Sequence, residues 1–440
     1  VVFNPLSWTR TASVTVEVHT PAAAQQLQAT DNAGKPLLSQ VISTDAATMR
    51  TKLAVMVPDV PSLGYRVIHV HAVEHAQHLE STLKVNGLHI ENEFFKVAID
   101  QKTGCITSLI EKASNKETVA PGGCGGLLQT FVDIPARQDA WEISFDGKSW
   151  DLKDPQSVKL IENGPERAVV EIRNKFQDSD FVRDLVIQPH VPRIDIQTHV
   201  NWNEHHILLK GGFPVNAQAQ KATFEIPFGT IERPTTRNTP AEKAMFEVPA
   251  ERWADISDTT VGVSLLNDSK YGYDALGNNL RVSLLRSPNM PAPDNRVADQ
   301  GMHDFTWSLY PHAGTWQQGG SMRQGYELNF PLTAVEAESH GGAWPGSRSF
   351  VTIHPGNVIL TALKKAEDSN ALIFRFYEFE GKSSQIQLEL PIAASSAVAT
   401  DLMEKTVHPL DLQQGGRVVE VPVTPYSINT VAASFPGLDR

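Results

Sequence analysis

Only two cysteines, Cys105 and Cys124, occur in 440 residues, too few for a disulfide-stapled scaffold, and their spacing matches no zinc ribbon. Thiols in a reducing compartment are therefore expected, with one disulfide left open, and the cytoplasm is the expected location. Positive charge is also short: 38 lysines and arginines stand against 50 aspartates and glutamates, a formal charge of −12. Without a basic block there is no footprint for a phosphate backbone, which argues against nucleic acid as a partner. No apolar run approaches the ~18 residues needed to span a bilayer, so no membrane association is expected. Val1 opens directly on strand-like sequence with no signal-type segment, as though the start were truncated. Helical periodicity is scarce, "VPAERWADI" (Val248 to Ile256) being the one modest candidate. There is no serine elbow, phosphate loop, His-Glu-x-x-His or paired Cys-x-x-Cys.

What is present is alternation. "ASVTVEVHT", "YRVIHVHAV", "RAVVEIRNKF", "RIDIQTHVNW", "LRVSLLRS" and "SQIQLELP" place apolar side chains at every second position, the pattern of half-buried antiparallel strands. With 28 prolines and 29 glycines breaking the chain between them, the reading is all-β. The proline-punctuated "MVPDVPSLGYRVIHVHAV" closes a first, immunoglobulin-like sandwich over residues 1–80. Longer strands from "HIENEFFKVAID" onward fill residues 81–335, too many for a seven-strand sandwich, so a doubled, mutarotase-like super-sandwich is expected. The glycine-rich "EAESHGGAWPGSRSF" then separates a third, small sandwich over 336–440. "NEHH" (Asn203 to His206) gathers a carboxylate and two imidazoles, but adjacent residues on a strand point to opposite faces, so a metal site is not expected there.

Five stretches occur in order: "FEIPFGTIERPT", "FEVPAERWADISD", "VGVSLLNDSKYGYD", "LRVSLLRSP" and "ADQGMHDFTWSLYPHAG". Together with "VVFNPLSW", "IENEFFKVAID", "LLKGGFPV" and "VILTALKKAED", they resemble the C-terminal half of glycoside hydrolase family 38, most closely its cytosolic and bacterial branch. The resemblance covers essentially the whole chain. It implies a retaining, zinc-dependent α-mannosidase acting on α-mannosides, whose nucleophile, acid and zinc ligands lie upstream in an N-terminal catalytic domain. Nothing between Val1 and Arg440 resembles the family's His-x-Asp zinc segment, so no catalytic residue and no metal ligand is assigned here, and the chain alone is expected to be inactive. A homo-oligomer is compatible with the family.

The same resemblance suggests residues lent to the sugar pocket. Arg286 in "LLRSP" matches an arginine that relatives direct toward substrate, the alternative being an ion pair with Asp294 or Asp299. Tyr271 and Tyr273, two apart in "NDSKYGYD" with Asp274 following, would share a face if extended and offer two rings to a sugar, or else cap a sandwich edge. Asp299 and His303 lead the strand of Phe305, Trp307 and Leu309, His303 being either an acid-base group or a hydrogen-bonding histidine. "LLQTFVDIPARQDAWEI" corresponds to a segment near the pocket and nominates Asp139 and Trp141. Where that branch carries tryptophan before "DAW", this chain has Gln138, one stacking ring fewer. Two other classes stay open: a non-catalytic carbohydrate-binding or structural β-module, and a metal-free mutarotase-like enzyme using histidine and glutamate.

Overall fold

A computed structural model describes residues 1–20, 26–338 and 340–437. Ser339, inside the glycine-rich separator, and the last three residues of the 336–440 segment lie outside the described residues. Strands dominate the chain, all paired strands being antiparallel, as the alternation requires. The chain forms two compact units: Val1–Leu79 with Pro227–Thr230 and Phe330–Arg440, and Glu80–Ile226 with Ile231–Asn329.

In the first unit, strands from both chain segments share a four-stranded sheet ordered Thr333–Ala334, Val2–Asn4, Gly64–Arg66, Ser347–Ser349. One core gathers Val2, Val14, Leu53, Val55 and Val57. Another gathers Phe374, Phe376, Ile386, Leu388, Val419 and Val431 from the later strands. Both sets come from alternate strand positions, while the positions between them, such as Ala54, Met56, Ile373 and Tyr377, are buried as well.

The second unit holds sheets of five, six and nine strands around one large core. The six-stranded sheet runs Phe145–Asp151, Leu127–Asp133, Ile207–Pro214, Asn279–Arg286, Gly272–Leu276, Val248–Pro249. Ser157–Asn163, Ala168–Phe176, Ser179–Ile187, Ile194–Trp202 and Gly301–Ala313 follow one another in the nine-stranded sheet. Gly211 of "LLKGGFPV" explains part of their packing: a β-carbon there would lie 2.8 Å from the buried Trp307 ring, so only glycine admits the indole.

Two local expectations are corrected. "VPAERWADI" is not helical: Val248–Pro249 pairs with Tyr273 and Gly272, and Trp253–Ser257 pairs with Val261–Asn267. The proline lacks a ladder donor and disfavours helix in the residue before it, and Trp253, Ala254 and Ile256 are all buried in a central strand. The helix of most consequence is Ser321–Asn329 instead. The cysteines are not thiols either: Cys105 and Cys124 are joined, with α-carbons 4.9 Å apart. Reciprocal hydrogen bonds between Ile106 and Gly125, 2.9 Å each, bring their neighbouring cysteines together. The cysteine count therefore no longer supports a reducing compartment.

Candidate functional site

Antiparallel pairing brings four connections of the second unit to one end. Val132 faces Ile207, Leu208 faces Arg286, Gly272 faces Ser283 and Trp202 faces Gly301. The segments 134–144, 203–206, 268–271 and 287–300 therefore emerge together.

Arg286 is the hub. It ends its strand on the face of the six-stranded sheet that also carries Lys210 and Arg281, away from Leu209 and Val282, which enter the core. Its Nε donates to the buried Asp133 carboxylate at 2.6 Å. Its Nη atoms donate to the carbonyls of Ala140 at 3.2 Å, Asp139 at 2.8 Å and Glu142. Three of the five guanidinium N–H groups thus hold the loop 134–144, and a fourth anchors Arg286 to Asp133 at its base. Neither expected partner is used, since Asp294 pairs with Arg296 and Asp133 occupies Arg286. Asp133 also accepts from the Ser144 N–H at 2.7 Å, closing the loop's base.

Asp139 fastens this loop to its neighbours. Its Oδ2 accepts from His206 Nε2 at 2.7 Å and from the Asn289 N–H at 2.9 Å. Burial pushes its carboxyl up, but the bonds from His206 and Asn289 and the nearby charges of His206 and Arg286 outweigh that and hold it below the ordinary carboxylate range. His205 completes the joint, its Nε2 lying 2.9 Å from Asn289 Oδ1. The expectation that the two histidines of "NEHH" point apart fails because His206 has φ of 56°. That left-handed turn stacks the rings with centroids 4.0 Å apart. Glu204 is buried elsewhere, accepting from Ser179 Oγ at 2.7 Å, and burial raises its pKa.

The loop presents Trp141, whose residue is 69% exposed. On the 268–271 turn Tyr271 is 67% exposed, whereas Tyr273 is fully buried. They do not share a face, because the strand starts at Gly272 and leaves Tyr271 in the turn. Tyr273 packs edge-on to Phe224 and bonds Asn267 and the Glu251 carbonyl, and burial pushes its hydroxyl pKa far up. Asp274 is buried too, accepting from Arg281 Nη2 at 2.7 Å and from Lys210. Lys210 also reaches Glu247, and its Nζ lies 5.7 Å from the Phe131 ring. Asp274 thus belongs to a charge-balanced quartet under aromatic rings. His303 Nε2 donates to the Asp299 carbonyl at 2.7 Å, the hydrogen-bonding alternative. Lys270 sits over Phe305 at 4.3 Å and lies within electrostatic reach of Asp299 and Asp268, which joins the tyrosine turn to the Asp299 loop.

The connections therefore bring together Arg286, Asp139, Trp141, Tyr271, Asp299 and His303, while Tyr273 and Asp274 lie in the packed interior. Asp133, His206 and Asn289 were missed; only the acid ending "FVD" and the histidine pair gave any signal. Among the described residues no three His, Cys, Asp or Glu side chains converge on a possible metal position. They offer no site that fits a zinc ion, which the resemblance places upstream. No described helix is long and apolar enough to cross a membrane.

The description of the glycosyl hydrolases family 38 C-terminal domain matches residues 90–294, and that of the family's C-terminal β-sandwich domain matches residues 357–431. The chain belongs to glycosyl hydrolase family 38. This family 38 chain is 36% identical over 331 residues to alpha-mannosidase G of Dictyostelium discoideum, covering 72% of the chain and 30% of that protein. Human alpha-mannosidase 2C1 is 35% identical over 323 residues, with 72% and 30% covered. An alpha-mannosidase structure from Enterococcus faecalis V583 shares the fold, with a TM-score of 0.82 at 16% identity over 98% of this chain and 55% of that one. The chain thus spans about 30% of the length of those curated relatives.

Proposed function

We propose that this chain is the β-sandwich part of a retaining, zinc-dependent α-mannosidase that hydrolyses terminal α-mannosides. The support is the pair of relatives named alpha-mannosidases, at 36% and 35% identity. In this reading an N-terminal catalytic domain of the same protein holds the nucleophile, the acid and the zinc ligands. The present chain braces that domain and lends it the loop 134–144. The observation that carries the loop's part is the Arg286 fork, which holds three loop carbonyls and leaves Trp141 in the open. An exposed indole offers a flat apolar face to the C–H face of a sugar ring, while hydroxyls are met at its rim.

The roles divide by burial. Trp141, Tyr271, Asp299 and His303 are proposed as substrate-side groups, Arg286 and Asp139 as positioning residues, and Tyr273 and Asp274 as scaffold. The test is hydrolysis of an aryl α-mannoside by this chain alone and by the protein extended by the segments that its relatives have in addition. The expected outcome is activity only in the extended protein, with Trp141→Ala lowering kcat/KM by about 2- to 12-fold, the ~0.5–1.5 kcal/mol of a stacked ring. Hydrolysis by this chain alone, or an unchanged Trp141→Ala enzyme, refutes the assignment. Anomer interconversion by this chain would point to the mutarotase-like alternative.

A further inference from the structure

The first unit carries a two-stranded ribbon, Gln26–Asp31 paired with Ile68–Val73, that the functional reading does not use. Its register sets Thr30 opposite His69 and Gln28 opposite His71. The histidines are alternate residues of one strand, so both imidazoles stand on one face of the ribbon, His69 half-buried and His71 exposed. Their rings are 15° from parallel, with centroids 6.0 Å apart. Among the described residues no salt bridge involves either ring, whereas His190, His199, His206 and His312 each face a carboxylate. His69 Nε2 is 3.5 Å from Asn32 Oδ1 and His71 Nε2 is 3.5 Å from Thr30 Oγ1, both at the long limit of a hydrogen bond.

We propose that His69 and His71 form a chelating site for a late first-row divalent cation, with Cu2+ bound more tightly than Ni2+ or Zn2+. Alternate strand positions are roughly 6.6 Å apart. Two metal–nitrogen bonds of about 2.0–2.1 Å close that gap once each ring swings toward the other. His71 is exposed and His69 half-buried on that face, and their present contacts are weak enough to give up. The paired backbone fixes the spacing in advance, so binding orders only two side chains. Water fills the remaining positions, with Asn32 and Thr30 placed to bond it. Imidazole donors and the general affinity order put Cu2+ first. With no carboxylate in the set, the site is weak and exchangeable, unlike a closed structural centre.

The experiment is a titration of the whole chain with Cu2+ at neutral pH, followed by its visible absorption and by nitrogen hyperfine structure in electron paramagnetic resonance. The tightest equivalent is expected to show nitrogen ligation. His69→Ala and His71→Ala should each weaken it at least about tenfold, and it should weaken on acidification because a ligating imidazole must be unprotonated. Melting curves of the metal-free variants should match the parent, and His69→Gln with His71→Gln repeats the test without cavities. His205→Ala with His206→Ala should leave the tightest equivalent in place. Tight binding that persists in the His69→Ala/His71→Ala double variant, or that is lost with the His205/His206 pair, overturns the proposal.

Discussion

Replacing Arg286 by lysine keeps the charge and removes the fork. A lysine ammonium can stay with Asp133, which is buried, but one nitrogen cannot also reach the separate carbonyls of Asp139, Ala140 and Glu142 that the guanidinium serves. With at least two of those bonds lost, and about 1.5 kcal/mol for each bond from a charged donor, the loop loses roughly 3 kcal/mol of local stability. That corresponds to about a 100-fold larger open population. Because the chain comprises two compact units, a single global unfolding energy is a poor readout. Amide hydrogen exchange at Trp141, Glu142 and Ser144 is the proper one. The Trp141 N–H donates to the Gln138 carbonyl and the Ser144 N–H to Asp133, so both report the loop closed. Exchange there should speed by about two orders of magnitude, while amides in Ile194–Trp202 stay unchanged. Unaltered exchange in the loop would show that Arg286 does not hold it and is free for another task.

The Asp139 joint carries a pH signature. Its carboxyl is held below the ordinary range, so its contribution is complete above about pH 4, the unfolded value, and is lost as pH falls through the lower folded pKa. Loop exchange should therefore accelerate in acid below that point in the parent and far less in Asp139→Asn; equal acid responses would refute the joint. Gly211→Ala would place a methyl 2.8 Å from the Trp307 ring, and such overpacking costs about 1–3 kcal/mol. A lowered melting temperature of the second unit is expected, and an unchanged one would mean that the indole moves freely.

Strand content was legible because alternation encodes it directly: in "RIDIQTHVNW" the strand Ile194–Trp202 buries every second residue. The helix Ser321–Asn329 was not, since it buries Ser321, Met322, Gly325 and Tyr326, a face with little apolar contrast. At the site, Arg286 could be singled out but its partner could not. Asp133 lies 153 residues away, and cross-strand register, not proximity in the chain, selects it over Asp294 or Asp299. The tyrosines misled for a related reason: a period of two holds only inside a strand, and Tyr271 stands one residue outside it. Chain spacing likewise gave no hint that the pairing of Ile106 with Gly125 seats the two cysteines side by side.

The manner in which Arg286 grips its loop has an evolutionary consequence. Its acceptors at Asp139, Ala140 and Glu142 are main-chain oxygens, which every amino acid supplies. The path of the loop is therefore largely indifferent to which side chains ride on it. Positions such as Ala140, Trp141 and Glu142 can drift in size and polarity while the backbone beneath them keeps its course, whereas Gln138, with φ of 48°, is held to residues that tolerate a left-handed turn. A surface built this way can trade one exposed group for another by point mutation without first repairing its scaffold.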